Sequence, residues 1–238
     1  MSYVMRFVKG TEDVRLRVRR ARPADVPRVL RFVREYSRLV WPEEDKKPAV
    51  NNHVVLSDYV TRTLAQGHSM LAEQQEAKLG WSRIRGVALC SATCPWDAAM
   101  LEKWARCVKC ARSKKLLLMT AHCLRAPGLH DKYEVHNIMQ VLIILIVPPT
   151  TPKASEITQL LAKNSINRGR DLGFPVLRAK VLDKLQLKKE YEFNHSILPT
   201  ALKVHSEDKN SLPLELKEKS VTVYTAFTSA DKSLTKLK

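Results

Sequence analysis

The chain has 238 residues, 45% of them hydrophobic, and a formal net charge of +17 at pH 7. This length fits one large domain or two small ones, and the apolar content suffices for a buried core, which excludes a globally disordered chain. No apolar run reaches the roughly 18 residues that a membrane helix needs. The first residues, MSYVMRFVKG, lack the long apolar region of a secretory signal, so we expect a cytoplasmic protein with no membrane partner.

The first half of the chain predicts three strands and two helices. Short apolar runs, one of them alternating with basic residues, predict strands at residues 14–21, 69–74 and 83–92. Apolar residues at helical spacing predict helices at residues 22–40 and 53–68. Asp25 is the expected cap of the first helix, and Gly67 is the expected end of the second.

The second half predicts one long helical stretch, a second helix and several strands. The helical stretch covers residues 96–124, with a break near Ser113, and a loop follows at residues 126–132. A second helix is predicted at residues 155–173. The predicted strands lie within residues 133–147, 174–181, 184–197 and 220–229. This order predicts a mixed α/β fold in which a central apolar strand leads into a helix.

The central strand is the most hydrophobic segment of the chain. Its core reads VLIILIV, residues 141–147, with no polar residue. Runs of this composition are typical of a strand that is covered on both faces of a sheet. We therefore expect Ile143, Ile144 and Leu145 to be nearly buried.

The five cysteines do not predict a metal site or a disulfide framework. An odd number without a signal sequence argues against disulfides. Four of them show the spacing C-x3-C-x12-C-x2-C, which is similar to that of zinc sites. However, the segment CVKC lacks the glycines of a zinc knuckle and lies in a helical pattern, and Cys90 ends a predicted strand. We interpret them as small, half-buried thiols and expect no bound metal.

The excess of lysine and arginine is open to two interpretations. A field of this sign attracts polyanions such as nucleic acids and phosphate-bearing cofactors. A simply solvated basic surface explains the same composition. Because the chain has no helix-turn-helix, RNA-recognition or zinc-finger motif, we expect no nucleic-acid partner.

Several stretches together resemble the GNAT superfamily of N-acetyltransferases, and most of all the insect arylalkylamine (dopamine-type) enzymes. RRARPADVPRVLRFVREYS is similar to the first strand and helix of that family, and GHSMLAEQ with IRGVALC to the next two strands. IILIVPP, followed by ITQLLAKNSINRGRDLGF, is similar to its fourth strand and cofactor helix. The resemblance implies a central mixed β-sheet flanked by helices. It also implies one GNAT-like domain over residues 14–229, an extension at 1–13 and a basic tail at 230–238.

The resemblance further implies acetyl-CoA as the co-substrate. The pyrophosphate would lie on free N–H groups at the start of the helix after the central strand. The implied cofactor contacts are Ile146, Val147, Lys153, Ala154, Ser155, Glu156, Ile157 and Thr158.

The loop departs from the family motif V-x-P-x-x-R-G-x-G-x-G at its signature positions. Laid on the chain from Val147, the motif places its arginine on Pro152, which has no N–H, and its last glycine on Ile157, which adds a β-branched side chain. Lys153 replaces the first glycine and could offer charge to a phosphate. The loop therefore predicts unusual or weakened cofactor binding.

The resemblance also implies a carboxylate that takes the proton of the amine. The insect enzymes place it in a segment F-x-x-D-E-P after the first helix, and this chain has WPEEDKKP there. Glu44 is the first choice for this base and Glu43 the second; the alternative is a solvated charged loop. We expect either a monomeric N-acetyltransferase acting on a small arylalkylamine, or a non-catalytic GNAT-fold protein that binds an anionic partner.

Overall fold

A computed structural model describes residues 3–7, 14–36, 54–76, 80–125, 128–145, 152–182, 194–198 and 221–228. The strands are β1 (Tyr3–Phe7), β2 (Val14–Arg20), β3 (Met70–Glu76), β4 (Gly80–Thr93), β5 (Ile138–Leu145), β6 (Val176–Leu182), β7 (Asn194–Leu198) and β8 (Val221–Phe227). A 3-10 turn (Pro23–Asp25) precedes α1 (Val26–Tyr36). The other helices are α2 (Val54–Ala65), α3 (Asp97–Cys107), α4 (Ala111–Arg125), α5 (Leu129–Lys132) and α6 (Pro152–Asp171).

The described strands form one mixed sheet in the order β1-β2-β3-β4-β5-β6-β8-β7. Strand β5 lies inside the sheet, antiparallel to β4 and parallel to β6. All the other described pairs are antiparallel. A parallel pair needs a crossover connection, and α6 lies between β5 and β6 in the chain. The prediction of a mixed α/β sheet with a central apolar strand is confirmed.

Strand β5 is buried on both faces because a helical layer covers each side of the sheet. Met139, Val141 and Ile143 belong to the core under α6. Leu142 and Ile144 belong to a second core under α1 and α2. The predicted burial of Ile143 and Ile144 is confirmed, at 5% and 0% exposure. The side chain of Leu145 lies outside the described part.

Helix α6 packs on the sheet through the residues that its periodicity indicated. Ile157, Leu161 and Ile166 are buried there, and Leu160 is partly buried. Near the end of the helix, Gly169 allows a close approach to β6. A Cβ at this position would overlap the Leu177 side chain and lie 3.2 Å from the Met139 sulfur.

The elements differ from the predictions at four places. Residues 3–7, expected within an N-terminal extension, form β1 and pair with β2. The stretch 96–124 forms two helices with a break at residues 108–110, and a short helix, α5, lies in the predicted loop at 126–132. Helix α6 begins at Pro152, three residues before the predicted start, since proline is well suited to the first helical position.

None of the helices in the described part of the chain is long and apolar enough to cross a membrane. The predicted strand at 184–197 and the polar segment before β8 lie mostly outside the described residues, which include only 194–198 of them.

Replacing Ile144 with Ala should lower the free energy of unfolding by about 2–5 kcal/mol, because it deletes a fully buried side chain from a close-packed core. Urea unfolding measures the change. Val54→Ala is the matched control, since Val54 is 75% exposed and its truncation should change stability by less than about 0.5 kcal/mol. Equal effects of the two substitutions would contradict a central position for β5.

Candidate active site

The sheet opens between β5 and β6 at their C-terminal ends. The parallel ladder runs from the pair Ile138 and Val176 to the pair Leu142 and Lys180 and ends there. Both strands continue beyond this point, β5 paired with β4 and β6 paired with β8. The backbone groups of Ile143 and Ile144 that face β6 are therefore not used in the ladder. An extended ligand with amide groups could bond to them as an added strand does.

The N-terminus of α6 follows β5 after a short connection, residues 146–151, which lies outside the described part. A helix leaves the N–H groups of its first turn without acceptors in the helix, and they attract anions. Because α6 begins at Pro152, which has no N–H, the free donors of its described first turn belong to Lys153 and Ala154. Ala154 is fully buried.

The structure places the predicted cofactor residues in different environments. Ile157 is packed into the core, so its side chain does not obstruct a ligand at the helix start. Thr158 is buried, and its hydroxyl donates to the Ala154 carbonyl over 2.8 Å. Ser155 accepts a hydrogen bond from Gln159, and Glu156 is exposed. Ile146, Val147 and the Lys153 side chain lie outside the described part, as do Glu43 and Glu44.

The opposite face of the sheet holds a buried ionic cluster that the sequence patterns did not indicate. Glu73 on β3 is fully buried, and its carboxylate accepts hydrogen bonds from Arg17, Arg19 and Arg28 at 2.8 to 3.1 Å. Arg19 also donates two bonds to Asp25, at 2.7 and 2.8 Å. The cluster joins β2, β3 and the start of α1.

The two carboxylates of this cluster are held ionised. Burial alone would raise the pKa of Glu73, but the hydrogen bonds and charges of Arg19 and Arg17 outweigh it and hold that pKa below its usual range. The hydrogen bond from Arg19 likewise lowers the pKa of Asp25 against the effect of burial. Carboxylates with these partners are poor proton acceptors, so the cluster is a stabilising element and not a candidate general base.

A row of buried polar residues crosses the same face of the sheet nearer the opening. Ser91, Gln140, Arg178 and Thr225 lie directly opposite one another on β4, β5, β6 and β8. All four are less than 10% exposed. The Gln140 amide donates to the Tyr59 hydroxyl on α2 over 3.3 Å, and Arg178 donates to the Cys123 carbonyl on α4. The signals available in the sequence were Gln140, the one polar residue of β5, and Arg178, one of two basic residues in the otherwise apolar β6.

The cysteines do not converge on one point. Cys90 is buried in β4, where burial raises its pKa to about 12, and Cys107 is exposed at the end of α3. Within the described ranges, no group of three or more His, Cys, Asp or Glu residues is placed to hold a metal ion.

Comparison with known proteins gives structural matches alone. No protein-family model and no curated protein matches the chain. A mosquito arylalkylamine N-acetyltransferase-like protein superimposes with a TM-score of 0.68 at 15% identity, over 89% of this chain and 99% of that one. The Drosophila melanogaster polyamine N-acetyltransferase that forms N-acetylagmatine gives the same four values. A condensation domain of Ebony bound to beta-alanyl-dopamine gives a TM-score of 0.58 at 15% identity, over 89% of this chain and 98% of that one.

These matches, together with the sheet order and the opening beside α6, define the fold class. The chain has the fold of the GNAT N-acetyltransferases, as its sequence resemblance implied.

Replacing Glu73 with Gln should lower the free energy of unfolding by about 1.5–3 kcal/mol at pH 7, because three half-buried arginines lose their charge-assisted hydrogen bonds to a fully buried carboxylate. The lowered pKa of Glu73 means that its contribution is present at neutral pH and is lost as the pH falls below about 4. The difference between native and variant should therefore shrink on acidification, which urea unfolding at several pH values measures.

Asp58→Asn is the matched control for this charge removal. Asp58 pairs with Arg62 on the exposed side of α2 over 2.8 Å, so its loss should cost less than about 1 kcal/mol. A cost for Glu73→Gln no larger than that of the control would show that the cluster does not stabilise the fold.

Proposed function

We propose that the protein is an acyl-CoA-dependent N-acyltransferase that transfers an acetyl group to a small amine. The observation that carries the proposal is the opening between β5 and β6 beyond Leu142 and Lys180, beside the N-terminus of α6, in a GNAT fold. The unpaired strand edge suits the amides of a pantetheine arm, and the helix start suits a pyrophosphate. The names of the two acetyltransferases compared above support an amine as the acyl acceptor.

In the proposed reaction the neutral amine attacks the thioester carbonyl held at the opening. The new C–N bond forms, the C–S bond breaks, and the CoA thiolate leaves and takes up a proton. A carboxylate must remove the proton of the amine, and the two buried carboxylates of the described part, Glu73 and Asp25, are already bound by arginines. Glu44, or Glu43, from the segment after α1 remains our proposal for this base, acting directly or through a water molecule.

A second function, a non-catalytic binding module for an anionic partner, is favoured by one observation. The helix start that would hold the pyrophosphate combines Pro152 with a fully buried Ala154. This combination leaves fewer accessible donors than the glycine-rich family loop. The net charge of +17 suits an anionic partner.

One experiment separates the two functions. The protein is titrated with CoA by calorimetry and then incubated with acetyl-CoA and either tyramine or agmatine, with the N-acetyl product measured by mass spectrometry. This readout avoids thiol reagents, which would react with the protein's own cysteines. The enzyme should bind CoA in the micromolar range and form product only when both substrates are present. Absence of CoA binding up to millimolar concentrations would exclude the enzyme and leave the binding module.

Substitutions at Pro152 should strengthen acetyl-CoA binding in two steps. Pro152→Ala restores one N–H donor, worth about 0.5–1.5 kcal/mol. Pro152→Arg also adds a charge-assisted contact, worth about 1.5–3 kcal/mol. The dissociation constant of acetyl-CoA should therefore fall about tenfold further in this variant. Calorimetry measures both, with urea unfolding to confirm that each variant is folded.

Val54→Arg is the control for the added charge, because Val54 is 75% exposed at the start of α2. Its dissociation constant should equal that of the native protein. If the native protein binds acetyl-CoA tightly and Pro152→Arg binds no better, the loop is already competent, and Lys153 with the remaining donors holds the phosphates.

Replacing Glu44 with Gln should lower kcat by about 10²–10⁴-fold and leave CoA affinity unchanged, since the change removes proton transfer and no cofactor contact. Glu43→Gln is the matched control, one residue away with the same loss of charge. Equal losses in both variants would point to the charge of the segment as a whole. A larger loss in Glu43→Gln would transfer the role to that residue.

A further inference from the structure

Arg178 interrupts the core on the face of the sheet that α1, α2 and α4 cover. On β5 and β6, the row before it (Ile138 and Val176) belongs to one apolar cluster, and Leu142 in the row after it belongs to another. Arg178 and its neighbour Gln140 lie between the two clusters. A strand in the middle of a sheet ordinarily carries apolar residues at such positions.

The guanidinium of Arg178 is buried, and none of the described residues gives it a counter-charge. The residue is 2% exposed, and one of its terminal nitrogens donates to the Cys123 carbonyl. Its Nε is buried and has no acceptor. None of the ion pairs in the described part of the chain includes Arg178, and the side chains that act on it electrostatically are the Cys123 thiol and the Tyr59 hydroxyl.

This arrangement is unfavourable for the protein alone. Removing a cation from water costs several kcal/mol unless an anion and further hydrogen bonds compensate. Burial lowers the pKa of Arg178 to about 10, which still leaves the group charged at neutral pH. In the described part of the chain, Glu73 is compensated by three arginines, whereas the Nε of Arg178, like that of Arg168, is buried without an acceptor.

The position of Arg178 relates this unpaired cation to the proposed reaction. The Gln140–Arg178 pair lies two residues before the ladder ends at Leu142 and Lys180, roughly 7 Å along the strands. It lies on the face opposite to α6, whose N-terminus would hold the CoA phosphates. Because CoA would occupy the α6 side of the opening in the proposed function, the reactant on this second face would be the acyl acceptor.

We propose that Arg178, supported by Gln140 and Tyr59, binds a carboxylate of the acyl acceptor, so that the acceptor is an amino acid and not a simple amine. This inference rests on the proposed function for the identity of the acceptor side. A guanidinium with a free Nε presents the planar set of donors that matches a carboxylate in a two-point contact. The Gln140 amide and the Tyr59 hydroxyl supply neutral partners beside it.

Two matched ligand pairs test the proposal directly by calorimetry, with and without saturating CoA. Tyrosine differs from tyramine, and arginine from agmatine, by the α-carboxylate alone. The carboxylate-bearing member of at least one pair should bind about 10- to 100-fold more tightly to the native protein. In Arg178→Gln this preference should disappear, and Arg178→Lys should restore part of it. Arg62→Gln, which removes an equally charged but exposed side chain, should leave the preference unchanged.

Stability provides a second readout that needs no ligand. Arg178→Met removes an uncompensated buried charge, so its urea midpoint should equal or exceed that of the native protein. A purely structural arginine would instead give a lower midpoint and no dependence of ligand affinity on residue 178.

The outcomes separate this inference from the proposed function. Equal binding of both members of each pair, no binding of any of the four, or a preference that survives in Arg178→Gln would overturn the carboxylate site. A preference for succinyl-CoA over acetyl-CoA that depends on Arg178 would overturn the assignment to the acceptor and place the carboxylate on the acyl chain.

Acetylation of tyramine and tyrosine at equal rates would support the proposed enzyme and contradict the carboxylate site. Tyrosine binding that depends on Arg178 without any CoA binding would retain the site and reject the enzyme.

Discussion

The parallel pairing of β5 with β6 is the constraint on which the rest of the structure depends. Parallel neighbours cannot be joined by a tight turn, so the chain must cross one face of the sheet, and α6 makes that crossing. The crossing brings the start of α6 to the edge where β5 ends. Because the ladder stops at Leu142 and Lys180, the gap between the strands and the donors of the helix lie at the same edge. Sheet order, core and candidate site thus follow from one strand pair.

The two faces of this sheet differ in the kind of residue that they bury. The face under α6 is a largely apolar core that includes Val141, Ile143 and Leu161. Among the described residues, the buried charged groups on the other face differ in their partners. Glu73 is neutralised by arginines from two elements and ties β2 and β3 to α1, whereas Arg178 has a backbone carbonyl as its acceptor and no anion among the described residues. The described structure thus accounts for the charge of Glu73, and the charge of Arg178 is the one to which we assign the proposed carboxylate contact.

The sequence was sufficient for the architecture because its strongest signals are local. The apolar run at 141–147 predicted a central strand, and the helical periodicity of Ile157, Leu161 and Ile166 predicted the face that α6 buries. The start of α6 was placed three residues late, because the prolines before it were interpreted as loop, although proline fits the first helical position. The ionic cluster was not predicted, since Arg19 and Glu73 are far apart in the chain and meet through strand pairing. Arg178 was missed for the same reason, because its burial with an unbonded Nε is a property of the packed state.

Gly169 determines how closely α6 packs on the sheet near the end of the helix. An added Cβ at this glycine would overlap the Leu177 side chain and lie 3.2 Å from the Met139 sulfur. The start of the helix lies about 25 Å away along the axis. A methyl group at Gly169 would displace the Leu177 side chain or shift α6 against the sheet, and a shift of the whole helix would also move Lys153 and Ala154. A substitution at Gly169 would therefore change the affinity for phosphate through the position of the N–H groups of these two residues, without altering a residue at the opening.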